Sequence, residues 1–180
     1  MILDMRQFDI FPAQTTVTGD PETLALDYQG LNKVINVSAD VRIQKSGEEY
    51  FCQALVNAVV STECSRCLTD FDLAVNQDTD FIACSQVTHE EKAGDHPDDE
   101  DYVFFTGSDI QADISEIVRQ AIILAVDLKP ICSNDCLGLC QTCGINMNEE
   151  SCNCVKETID PRWEGLKKLS GSATEHKEQR

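Results

Sequence analysis

Apolar and polar positions alternate along much of the first half of the chain. The alternation is loose over Met1–Phe11, where Phe8, Ile10 and Phe11 suggest a short strand. Gly19, Asp20 and Pro21 mark a turn. From residue 31 the period of two is sustained. Leu31, Val34, Ile35, Val37, Val41 and Ile43 describe one strand-like run, and the Val-rich segment from Tyr50 to Thr62 describes a second. Lys45-Ser46-Gly47-Glu48 between them is a hairpin turn by composition. A third alternating run, Phe71 to Ile82, follows a tight turn that carries Cys64-Ser65-Arg66-Cys67. Tyr102–Phe105 is a further short strand. Cys52 and Cys84 sit singly in apolar strands and read as small core residues.

The period then changes. Ile110, Ile114, Ile117, Val118, Ala121, Ile122, Ala125 and Leu128 recur at helical spacing, predicting a helix over 109–128. Ser108 or Asp109 would cap it and Pro130 would stop it. A second, short amphipathic helix is expected after Asp160-Pro161, with Trp163, Leu166 and Leu169 on one face. These elements predict an α+β fold: an antiparallel curved sheet or partial β-barrel, one main packed helix, and a C-terminal cysteine-rich metal-binding segment. The expected organisation is a β-rich body at 1–130, with an acidic loop at 88–101. A cysteine-rich segment and short helix follow at 131–169, then a polar, disordered tail at 170–180.

Charge narrows the functional classes. With 32 acidic against 14 basic residues the formal net charge is −18. Such a surface repels a phosphate backbone, so direct reading of nucleic acid is disfavoured and basic proteins are the natural partners. The same charge also simply keeps a protein soluble. The first residues, with early charges and no apolar h-region, do not read as a secretory signal, and no run reaches the length of a membrane span. The expectation is a cytoplasmic protein whose thiols stay reduced. His89, His96 and His176 fall in the acidic loop and the tail. No phosphate loop, nucleophile elbow or metalloprotease signature is present, and the chain is expected not to be an enzyme.

Ten cysteines remain the loudest feature. Setting aside Cys52 and Cys84 leaves Cys64, Cys67, Cys132, Cys136, Cys140, Cys143, Cys152 and Cys154. Cys140-Gln141-Thr142-Cys143-Gly144 has the form of a metal knuckle, in which Gly144 lets the backbone turn back. Thiolates at these spacings suit Zn²⁺ in tetrahedral sites; an iron–sulfur cluster also takes Cys₄ ligation, and redox-active dithiols are a third possibility. One pairing joins Cys140, Cys143, Cys152 and Cys154 on one ion and Cys64, Cys67, Cys132 and Cys136 on another. A second places a single ion among Cys64, Cys67, Cys140 and Cys143. Spacing does not choose between them. Arg66, between two thiols, either lowers their pKa or is an exposed turn residue.

Cys64-Ser-Arg-Cys67-Leu68, then Cys132 to Asn148 with its four cysteines, Cys152-Asn-Cys154 and Asp160-Pro161-Arg162 resemble the YceD family of large ribosomal RNA subunit accumulation proteins, in its cysteine-rich branch. The resemblance implies a cytoplasmic, non-enzymatic factor for accumulation or processing of large-subunit ribosomal RNA. Added to the charge, it points to a basic large-subunit ribosomal protein or an assembly intermediate as partner. Any RNA contact would be confined to cationic positions such as Arg66, Arg162, Lys167 and Lys168. The competing reading is a zinc-handling or thiol-redox protein.

Overall fold

A computed structural model describes residues 1–24, 31–88, 101–105 and 110–154. The chain divides into two compact units, Met1–Leu137 and Gly138–Arg180. Among the described residues no helix is long and apolar enough to cross a membrane. Residues 89–100 of the acidic loop, the Ser108/Asp109 cap, the three histidines, Arg162, the 159–169 helix and the tail lie outside the described residues.

The first unit is built on three long antiparallel strands: β3 (Leu31–Ser46), β4 (Glu49–Glu63) and β5 (Asp70–Cys84). Their β-branched and aromatic residues suit a pleated, half-buried surface. β2 (Ala13–Thr18) pairs with β3, and β6 (Tyr102–Phe104) pairs with β5, giving the open order β2-β3-β4-β5-β6. The β3–β4 connection has Gly47 at φ 65, which a type II′ hairpin requires at its first central residue. The β3–β4 register shifts at Leu31/Lys33 and again at Val34/Asn36, and the second shift lets Val34 and Val37 both face the core although they are three residues apart. The sheet is curved and does not close.

One face of this sheet makes the core. On β4 every second residue from Tyr50 to Val60 is buried, together with Val41 and Ile43 of β3 and Val75, Phe81 and Ala83 of β5. The helix α1 (Ser115–Ala125) lies on β5 and β4 and contributes Ile117, Val118, Ala121 and Ile122. Cys52 and Cys84 are fully buried core residues. Burial pushes the Cys52 thiol up to about 12, which makes it inert as a nucleophile.

Three local readings are corrected. The helix covers 115–125, not 109–128. Gln111–Asp113 instead forms strand β7, antiparallel to β1 (Ile2–Asp4), with Ala112 opposite Leu3, both buried. Pairing across the fold thus overrides the helical period, and Asp113 Oδ1 takes the N–H of Ser115 at 3.0 Å where the helix begins. At the other end Val126 is extended and Leu128 is 90% exposed. Phe8, Ile10 and Phe11 form no strand. A 3₁₀ turn at Met5–Gln7 and a cis Phe11–Pro12 bond occupy that region, and Phe8 and Phe11 enter an edge-to-face series with Tyr50 and Phe105. The sheet is also not wholly antiparallel, because β6 runs parallel to β5.

Candidate metal centres

The long β4–β5 hairpin ends in Cys64-Ser65-Arg66-Cys67. Here Leu68 N–H donates to Cys64 O at 2.9 Å and Cys64 N–H to Thr69 O at 3.0 Å, folding the turn back on itself. The segment after α1 comes up against this tip. Ser65 N–H donates to Pro130 O at 2.8 Å, and Arg66 Nη1 donates to the carbonyls of Cys136 at 3.1 Å and Asn134 at 3.4 Å. Arg66 therefore straps the two segments together. Cys64, Cys67, Cys132 and Cys136 meet here, three of them buried against Phe71 and Ile131, with Cys132 exposed.

The second unit brings together Cys140, Cys143, Cys152 and Cys154. Gly144 N–H donates to Cys140 O at 2.9 Å and Cys140 N–H to Ile145 O at 2.8 Å. This repeats the hydrogen bonds of the first turn, with Gly144 (φ 76) in the place of Leu68 (φ 58). The sequence marked the second turn through its glycine; the first, with leucine in the same left-handed conformation, carries no such signal. Gly138 is the only buried residue over 138–154 among those described, so no apolar core holds this segment.

The eight thiols thus fall into the first of the two groupings that spacing allows. Within each group all sulfurs lie within 4.8 Å of one another. Cys64–Cys136 is 3.9 Å, Cys67–Cys132 3.7 Å and Cys140–Cys152 3.4 Å. A disulfide needs about 2.05 Å, and every cysteine is free. Metal–sulfur bonds of about 2.3 Å in a tetrahedron set sulfur separations near 3.8 Å, so each group can hold one metal ion. Thiol acidity in each group is split. Burial raises Cys64, but the N–H groups of Cys132, Cys67 and Arg66 outweigh it and bring the thiol down to about 6. The N–H groups of Cys143 and Thr142 bring Cys140 down to about 6. Cys132, exposed as a residue, is pushed up to about 12 by desolvation of its sulfur and by the neighbouring thiols of Cys136, Cys64 and Cys67, and Cys154 up to about 12 by Cys143 and Cys152. Four thiolates gathered so closely repel one another unless a cation compensates them.

Comparison with known proteins places this arrangement. The sequence profile described as large ribosomal RNA subunit accumulation protein YceD matches residues 53–170, which include all eight clustered cysteines. An uncharacterized protein of Mycobacterium tuberculosis is 27% identical over 152 residues, covering 84% of this chain and 70% of its own length. The Zea mays protein named large ribosomal RNA subunit accumulation protein YCED homolog 1, chloroplastic, is 38% identical over 73 residues, 40% of this chain and 24% of its own. Its Arabidopsis thaliana counterpart is 33% identical over 70 residues, 39% of this chain and 22% of its own. No solved structure matches. With its profile spanning both cysteine groups and the strands that present the first, this chain belongs to the YceD family of large ribosomal RNA subunit accumulation proteins.

Proposed function

We propose that this chain is a non-enzymatic, cytoplasmic factor in large ribosomal subunit biogenesis, supporting accumulation or processing of large-subunit ribosomal RNA through a basic ribosomal protein or an assembly intermediate. Membership of a family described as large ribosomal RNA subunit accumulation proteins is the observation that supports the ribosomal part of this reading. The charge of −18 supports a protein partner over free RNA. Direct RNA contact is left to cationic positions such as Arg66 and Arg162. Cys64, Cys67, Cys132 and Cys136 hold one zinc ion, and Cys140, Cys143, Cys152 and Cys154 a second. Four thiolates close the coordination of zinc, so both ions are structural: one ties the hairpin tip to the segment after α1, and the other orders 138–154.

Depleting the protein and profiling ribosomal subunits tests the role. A deficit of large subunits is expected, and a normal profile overturns it. Elemental analysis of the purified protein tests the cofactor, with two zinc ions per chain expected and iron with sulfide overturning that assignment. The exposure of Cys143, with Cys140, Cys152 and Cys154 only partly covered, favours zinc handling or thiol redox chemistry as a second reading. Rapid zinc exchange from this group, together with a normal subunit profile, would support it.

A further inference from the structure

The core takes one face of the sheet and leaves the other open. On the open face β4 presents Phe51, Gln53 and Leu55 in a row; Phe51 is 42% and Leu55 39% exposed. The register sets their neighbours. Leu55 lies between Asp40 of β3 and Asp78 of β5, Gln53 between Arg42 and Asp80, and Phe51 between Gln44 and Ile82. Phe51, Gln53, Asp80, Ile82 and Asp101 line an open depression at one end of the row. The Asp40 carboxylate accepts from Thr16 and Asn57. The carboxylates of Asp78 and Asp80 have no hydrogen-bond or ion-pair partner among the described residues.

An isolated exposed apolar side chain needs no explanation. Here two share one stripe at the middle of a sheet, rimmed by the carboxylates of Asp40, Asp78 and Asp80, the last two of which have no partner among the described residues. Apolar anchors supply affinity, and a charged rim supplies orientation and association rate. Phosphate is repelled by the rim, and so is a second copy of a chain with net charge −18. We propose that the outer face of β3–β5, with Phe51 and Leu55 as anchors and Asp40, Asp78 and Asp80 as rim, docks a basic polypeptide segment carrying aliphatic or aromatic side chains between lysines or arginines. This deepens the reading above, on which the partner's ribosomal origin rests.

The probe is a fluorescent peptide of alternating lysine and leucine, titrated by anisotropy into the full-length, metal-loaded protein. Asp78→Asn with Asp80→Asn removes two rim charges, and Phe51→Ser with Leu55→Ser removes the anchors. Asp9→Asn with Glu22→Gln removes two charges at exposed positions away from the face. Each face pair should weaken binding about tenfold and the distant pair less than about twofold. Equal loss from the distant pair overturns the surface, since general attraction would then suffice. Tighter binding of a large-subunit ribosomal RNA fragment than of the peptide, lost in the anchor pair, also overturns it. So does a photo-crosslinker at position 55 that joins to residues 155–180 of the same chain or to a second copy. Face-dependent peptide binding alongside a normal subunit profile on depletion supports the surface and overturns only the ribosomal reading.

Discussion

Replacing Gly144 by alanine tests the proposal that a metal orders the second unit. Gly144 has φ 76, and a Cβ built there would meet nothing within 4 Å. The substitution therefore adds backbone strain without a clash. An L-residue in the left-handed region costs about 1–2 kcal/mol, of which roughly 0.4–1 is recovered because alanine restricts the unfolded chain. The net cost is about 1 kcal/mol. Residues 138–154 contain no buried apolar side chain, so on the zinc assignment proposed above the metal drives their ordering and the strain is taken from metal affinity. One of the two proposed zinc ions should bind roughly fivefold more weakly, read by competition with a chromophoric chelator. Gly144→Asn should recover most of the loss, because asparagine tolerates this conformation. Gly47→Ala is the control, with φ 65 and equally open space. It should lower the unfolding free energy of the first unit by about 1 kcal/mol and leave both affinities unchanged. Unaltered affinity in Gly144→Ala, or the same loss in Gly47→Ala, would refute metal-driven ordering of this segment.

Cys67→Ser should remove one zinc equivalent, whereas Cys52→Ser should remove none, as elemental analysis of the purified variants will report. Chelation should strip the less buried Cys140, Cys143, Cys152 and Cys154 group first. Hydrogen exchange should then show loss of protection at the amides of Cys140, Gly144, Met147, Glu149 and Glu150 while β3–β5 stay protected; protection that survives proven metal loss counts against the assignment. Leu68→Gly relieves a leucine held at φ 58 and 55% exposed as a residue. It should stabilise the first unit by about 0.5–1 kcal/mol in denaturant unfolding, and destabilisation would show that the leucine side chain contributes more than its strain costs.

Much of the β architecture was legible because its signal is local. The alternation of Tyr50 to Thr62 and Phe71 to Ile82 places strands nearly where β4 and β5 lie, and Lys45–Glu48 holds the hairpin turn. The buried stripe of α1 was also readable. Its start was not, since Ile110 and Ile114 fit a helical period that strand pairing with Ile2–Asp4 overrides. Phe8 and Phe11 misled for a related reason: their apolar character serves an aromatic cluster, not a strand. The exposed pair on the outer face left no trace in the one-dimensional pattern, because Phe51 and Leu55 look like any other apolar strand residues until burial assigns them to the outer side.

The sequence by itself determined the strand periods, the turn glycines, the acidic charge and the two Cys-x2-Cys turns. Each depends on residues within a few positions of one another. Only the tertiary structure decided which thiols meet. Cys64 and Cys136 are separated by 72 positions and come within 3.9 Å because the β4–β5 hairpin and the segment after α1 end at the same place. It also decided that Leu68 takes the conformation expected of a glycine, a strain the chain carries because the hairpin tip closes around Cys64 and Cys67. Spacing along the chain limits which groupings are possible, but closing a long loop depends on where the sheet register and the helix deliver its ends.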